Sequence, residues 1–330
     1  MGKAGRREHS FDRMGRYGLA FAAAMVAAIF ATVFGVLLSK SELAFEHSGG
    51  GLLTGSDWNP VAGIYGAWPY VYGTLFTSGI ALLLALPVGI AVALFLTELS
   101  PRWLSTPIGV LVELLAGVPS IVYGMWGYYF LRPLFQKPVE PWLQDHAQPV
   151  FSGLGWILHW IPGIGPILQD WLDMLFTGSK IGLGFLLAGV VLAIMILPTI
   201  VAISRDAIKA VPRLEREAGY ALGATRWEVA RAALRSAKRG LFAAGTLGLG
   251  RALGETVAVL LVIGNVATSA PRLFAPGATL TSTLVNQIPE ATEPVFVSTL
   301  LALGFILFAL TLVVNISARL VIERPWRKTP

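Results

Sequence analysis

Cysteine is absent from the 330 residues, which excludes disulfides and thiolate metal sites. Charge is scarce: Asp, Glu, Lys and Arg make up 13% of the chain, against 55% hydrophobic residues and a mean hydropathy of +0.68. So little charge cannot cover a water-facing surface of this size, and the composition points to an integral membrane protein. The four histidines are scattered and suggest no metal cluster. No P-loop (GxxxxGK followed by Ser or Thr) occurs, so the chain is not itself an ATPase of that kind. No Ser–His or His–Glu–His spacing falls inside an apolar stretch, which leaves an intramembrane hydrolase without its catalytic set. No internal hydropathy repeat marks a secondary transporter.

What is abundant is apolar length. Six stretches, roughly 17–38, 73–97, 107–131, 181–204, 240–265 and 297–318, reach the 20 or so residues that cross a hydrocarbon core. The first follows a basic segment, 1–16, and its 22 residues exceed the ~7–15 of a signal-peptide core, so it reads as a retained anchor. Pro87, Pro119 and Pro198 fall inside spans, where neighbouring groups can satisfy the freed backbone.

The basic residues set the orientation. Segments 1–16, 99–106 and 205–239, with the chain from Arg319 onward, carry nineteen Lys and Arg. The opposite side holds five, Lys40, Arg132, Lys137, Lys180 and Arg272, among nine acids. Both termini are therefore expected in the cytoplasm. Residues 39–71 form an external segment, 72–320 the main membrane domain, 133–180 an external insert, 205–239 an inner loop and 321–330 a cytoplasmic tail. Within the insert, 150–168 are apolar, but Pro162, Pro166 and His159 argue against a clean span. Trp142, Trp156, Trp160 and Trp171 suit either the headgroup layer or packing within the insert.

The inner loop predicts a helix, a tight turn and a second helix. Pro212 suits a first turn. Gly223 can end that helix with a left-handed cap. Thr225 and Glu228 form a Thr-x-x-Glu capping box for the next. By its residues alone this basic hairpin is a solvated connector, a surface lying on anionic lipid, or a docking element. A DNA-reading unit does not suit a segment tethered to the bilayer at both ends, and no nucleic acid partner is expected.

Glu217-Ala218-Gly219, three residues and then Gly223 resemble the EAA motif of ABC-importer permeases, with Gly219 in place of the second alanine and the distal leucine and proline missing. The segments LTGSDWNPV (53–61), TSGIALLLALPVGIAVALFLTELSP (77–101), ELLAGVPSIVYGMWG (113–127) and GLGRALGET (248–256) are similar to phosphate-importer permeases, the PstC type in particular. The resemblance implies an all-α, six-helix fold of the type I ABC-importer class in the inner cell membrane. It also implies that Glu217, Ala218, Gly219 and Gly223 contact an ATPase, with energy supplied by separate subunits (PstB-like). A related second permease (PstA-like) and an external phosphate-binding protein (PstS-like) are the other implied partners, and no cofactor is called for. Sulfate or molybdate is the alternative cargo.

Arg251 and Glu255 stand four apart in an apolar stretch, where a central charge costs at least ~2.5–3.5 kcal/mol. On one helix they would share a face and could pair, a purely structural arrangement that Gly250-x-x-x-Gly254 packing would support. Alternatively arginine, always protonated and two-pronged, binds an oxyanion in transit while the glutamate competes for it. The resemblance favours that pathway role. Glu113 lies either along the pathway or near the inner interface.

Overall fold

The computed structural model describes residues 4–161, 164–178 and 181–323. Lys3, Lys180, Arg324, Arg327 and Lys328, all used in the charge count, lie outside them.

The long helix α1 (Ala4–Lys40) is followed by the short helices α2 (Glu42–Ser48) and α3 (Gly51–Thr54). A small hairpin, β1 (Trp58–Asn59) and β2 (Ile64–Tyr65), pairs Trp58 with Tyr65 in antiparallel register. Then come α4 (Trp68–Leu94), ending in a π-helical turn over Phe95–Leu99, and α5 (Arg102–Ala116). A sharp corner separates α5 from α6 (Ser120–Trp126), α7 (Arg132–Leu134) and α8 (Glu140–Leu158), which run on through π-helical turns. The second half of the chain holds α9 (Gly165–Leu175), α10 (Phe185–Lys209), α11 (Arg213–Ala221), α12 (Arg226–Leu253), α13 (Val257–Val262), α14 (Leu280–Gln287) and α15 (Pro294–Glu323).

Among the described residues, four helical segments are long and apolar enough to cross a membrane: Arg16–Ser48, Trp68–Leu99, Phe185–Lys209 and Pro294–Leu320. A fifth arises if Trp103–Ala116 and Ser120–Leu158, bent by 95°, count as one span. The corner has a local cause. Pro119 disfavours helical backbone at Val118, and its own ψ of 140° is extended. Across the break the Tyr123 hydroxyl donates to the Leu115 carbonyl at 2.7 Å, beside the Val118 N–H at 3.3 Å. Pro87 and Pro198, by contrast, sit inside continuous helices. The expected span at 240–265 is not one straight helix. It is the end of α12 plus α13, interrupted at Gly254–Thr256.

The most buried of the four segments is α10, with 61% of its apolar window covered, against 0% for the first. The hub is therefore α10, packed on α4, and α1 lies at the periphery against α15 through Phe34 and Phe305 (5.1 Å between ring centroids). Small residues bring α4 and α10 together. Gly189 receives Ile80 and Gly89 receives Ile200, and a Cβ on either glycine would overlap that side chain. Ile200 also meets Gly248 of α12, where an added Cβ would lie 2.9 Å from it. Such close backbone approach is how helices associate where no hydrophobic force separates protein from lipid.

The insert is helical. The boundary at 133 falls within the continuous run from α6 to α8, and α9 folds back on α8 with Leu175 and Phe176 buried against Phe274. Trp142, Trp156, Trp160 and Trp171 are all exposed, as a headgroup location requires.

Candidate functional site

The inner loop forms the hairpin that its sequence predicts. Gly223 has φ +82°, and Ala224 N donates to Gly219 O at 3.0 Å, closing α11 with a left-handed cap. Thr225 and Glu228 make the reciprocal capping box: Thr225 N donates to Glu228 Oε2 at 2.7 Å and Glu228 N to Thr225 Oγ1 at 3.4 Å. The hydrogen bond from the Thr225 backbone, then the one from its hydroxyl, hold the Glu228 carboxyl below the usual range. Glu217 and Ala218 are exposed, as are Leu214 (77%) and Leu222 (89%), so the turn presents apolar side chains outward. At Gly219, a Cβ would stand 3.1 Å from Val229 Cγ2 on α12. That tight contact accounts for glycine where the family motif has alanine.

Nothing lies within 4 Å of a Cβ built on Gly223, so the constraint there is the backbone alone. Gly223→Val is expected to strain the cap by about 1 kcal/mol or more. Gly223→Asn should be milder, because asparagine tolerates the left-handed region. The melting temperatures of the two purified variants check this, and equal wild-type values would show that the cap does not depend on glycine.

A brace not visible in the sequence anchors α11. Arg216 donates from Nε (3.0 Å) and Nη2 (2.9 Å) to Glu98 Oε1 in the π-helical turn after α4. Its Nη1 donates to Val211 O at 2.6 Å and its Nη2 to Ile208 O at 2.8 Å, at the end of α10. One guanidinium thus ties three elements together, and the pair is mostly covered, with side-chain exposures of 19% and 11%. On the far side of the hairpin, Ser236 Oγ donates to Glu215 Oε2 at 2.8 Å. Glu113 pairs with Arg205 at 2.8 Å, close to the start of the hairpin, which favours the interfacial alternative for that acid.

Arg251 and Glu255 do not pair. α12 ends at Leu253, so the two side chains no longer share a helical face. Arg251 Nη1 donates to Thr199 Oγ1 on α10 at 3.0 Å, and the side chain is otherwise exposed. Glu255 Oε1 instead accepts from Ala258 N at 3.2 Å, capping α13, while its carbonyl accepts from Thr281 Oγ1 at 2.7 Å. Ion pairs do form elsewhere among the described residues, at Arg205–Glu113 and Arg216–Glu98. The self-neutralised pair is therefore not what the structure holds. Gly250 does pack, since its Cβ would lie 3.6 Å from Asn315 Oδ1 of α15, but Gly254 would meet only carbonyls of its own turn. Among the described residues, no group of three or more His, Asp or Glu could hold a metal ion.

Residues 85–327 match the family described as "Binding-protein-dependent transport system inner membrane component". The phosphate transport system permease protein PstC of Xylella fastidiosa (Temecula1) is 43% identical over 86% of this chain and 82% of that protein. PstC of Mesorhizobium japonicum is 42% identical over 92% of this chain and 87% of its own, and PstC of Pasteurella multocida 40% over 97% and 94%. Among solved structures, a chain of the inward-facing MetNI methionine ABC transporter (native crystal form) shares the fold with a TM-score of 0.53 and 16% identity, over 81% of this chain and 98% of that one. The chain belongs to the family of binding-protein-dependent transport system inner membrane components, alongside relatives named PstC.

Proposed function

We propose that this chain is the permease subunit of an ATP-driven importer of inorganic phosphate. The observation that carries the reading is identity of 40–43% to PstC proteins over nearly the whole chain. It forms the translocation pathway with a related second permease and receives phosphate from an external binding protein. A separate ATPase docks on the turn between α11 and α12 at Glu217, Ala218, Gly219 and Gly223. Arg251 contacts the anion in transit. It is supported in that role by its exposure and by the absence of a carboxylate partner among the described residues. Glu255, four residues on and across the break that ends α12, is poised to compete for the guanidinium once α13 shifts. The test of cargo is uptake of radiolabelled phosphate by cells whose own permease is replaced by this chain. Competition by sulfate or molybdate as strong as by unlabelled phosphate would reject phosphate as the cargo.

In this reading six segments cross the inner cell membrane, the sixth being the broken pair α12–α13, and both termini are cytoplasmic. Because the chain has no cysteine, single cysteines report position cleanly. Arg226→Cys is expected to resist an impermeant thiol reagent in intact cells and to react once the membrane is opened. Trp142→Cys should react in both. Labelling of position 226 from outside would reverse the topology.

A further inference from the structure

At the end of the bundle from which the hairpin projects, the π-helical turn after α4, α5 and α10 enclose a cleft of about 310 Å³. Its polar lining is Arg205, Lys209, Glu113, Ser105, Thr106 and Thr97. Arg205 and Lys209 stand four apart on α10 and so share a face. Glu113 neutralises one of these two cations, through Arg205 Nη2 at 2.8 Å. The Arg205 guanidinium lies against the α5 backbone, where a Cβ on Gly109 would sit 2.9 Å from Nη1. Its Nε is buried and finds no acceptor among the described residues. An unpaired buried donor is costly, and the guanidinium, 25% exposed, lines the cleft where an acceptor can approach it.

We propose that this cleft seats the phosphate group of an anionic phospholipid. The site offers a partly exposed guanidinium held by Glu113 and an exposed ammonium, two donor-only cations that match an acceptor-only, charged oxyanion. A free phosphate ion would use the same chemistry. The lipid is favoured by the apolar part of the wall, Leu96 and Val110, which a glycerol backbone and the first methylenes would cover. It is favoured also by Trp103, 77% exposed on the first turn of α5, since indole sits at the headgroup level. The cleft is distinct from the Arg251 pathway, and the inference stands whether or not phosphate is the cargo.

The intact transporter, purified and titrated with phosphatidylglycerol or phosphatidylcholine in native mass spectrometry, tests it. Wild type should retain phosphatidylglycerol in preference to phosphatidylcholine. Lys209→Gln, which leaves the Arg205–Glu113 pair in place, should weaken retention about fivefold, the weight of one cation at an anionic surface. Val110→Trp, which fills the cleft without changing charge, should remove the preference. Displacement of the bound lipid by inorganic phosphate would give the cleft to the free ion and overturn the lipid. Equal phosphatidylglycerol retention by wild type and both variants would overturn the cleft as an oxyanion site.

Discussion

Arg251→Gln is expected to leave the transporter assembled and to cut phosphate uptake by about one to two orders of magnitude, the weight of charged hydrogen bonds worth roughly 1.5–3 kcal/mol. The geometry sharpens this expectation. Had Arg251 neutralised Glu255, its removal would have stranded a carboxylate in the membrane. Arg251 instead holds Thr199, and Glu255 caps α13, so the single change strands nothing. Arg251→Lys keeps the charge but loses the planar fork, and uptake should fall while assembly survives. The double variant Arg251→Gln, Glu255→Gln keeps a carbonyl oxygen able to cap α13. It too should assemble, couple to the ATPase and move no phosphate. Near-normal uptake by that assembled double variant would reject the pathway assignment.

Arg216→Met should damage the protein in a different way. Glu98, with its side chain 11% exposed, would lose the counter-charge that Arg216 supplies, and the carbonyls of Val211 and Ile208 would lose their side-chain donor. Removing one partner of a covered pair costs about 3 kcal/mol or more. The melting temperature of the purified transporter should drop, and ATP hydrolysis should become independent of transport as α11 comes loose. Arg216→Lys should recover part of the stability, because an ammonium cannot reach the carboxylate and both carbonyls in the same fixed geometry. An Arg216→Met transporter that melts and transports like wild type would show the brace to be inert.

Local chemistry made the hairpin legible from sequence. Gly223, Thr225 and Glu228 act within a few residues of one another, and their cap and capping box are where the spacing puts them. The brace was not legible, because Arg216 and Glu98 are 118 positions apart and neither stands out in its own segment. Apolar length identified α1, α4, α10 and α15, whose runs are continuous. It did not show the break inside 240–265, because hydropathy does not register a backbone interruption between two apolar helices. Gly254 has φ −89°, so the break lacks the left-handed signature that would have marked it. The i, i+4 spacing of Arg251 and Glu255 misled for the same reason, since that rule holds only while the helix does. Pro119 turned the chain where Pro87 and Pro198 did not.

The two notches between α4 and α10 point in opposite senses: α4 sends Ile80 into Gly189, and α10 sends Ile200 into Gly89. Sliding either helix by one residue, about 1.5 Å, would lift both isoleucines onto neighbouring Cβ atoms. The keys lie nine positions apart along α4, some ~13 Å, so tilting about one of them unseats the other. The two helices therefore form a slab locked against shear, with Ile200 pinned to Gly248 of α12 as well. A cycle that exposes the pathway first to one side and then to the other has to flex at the slab's borders. The interrupted backbones at Gly117–Pro119 and Gly254–Thr256 are where this chain can bend without breaking that lock.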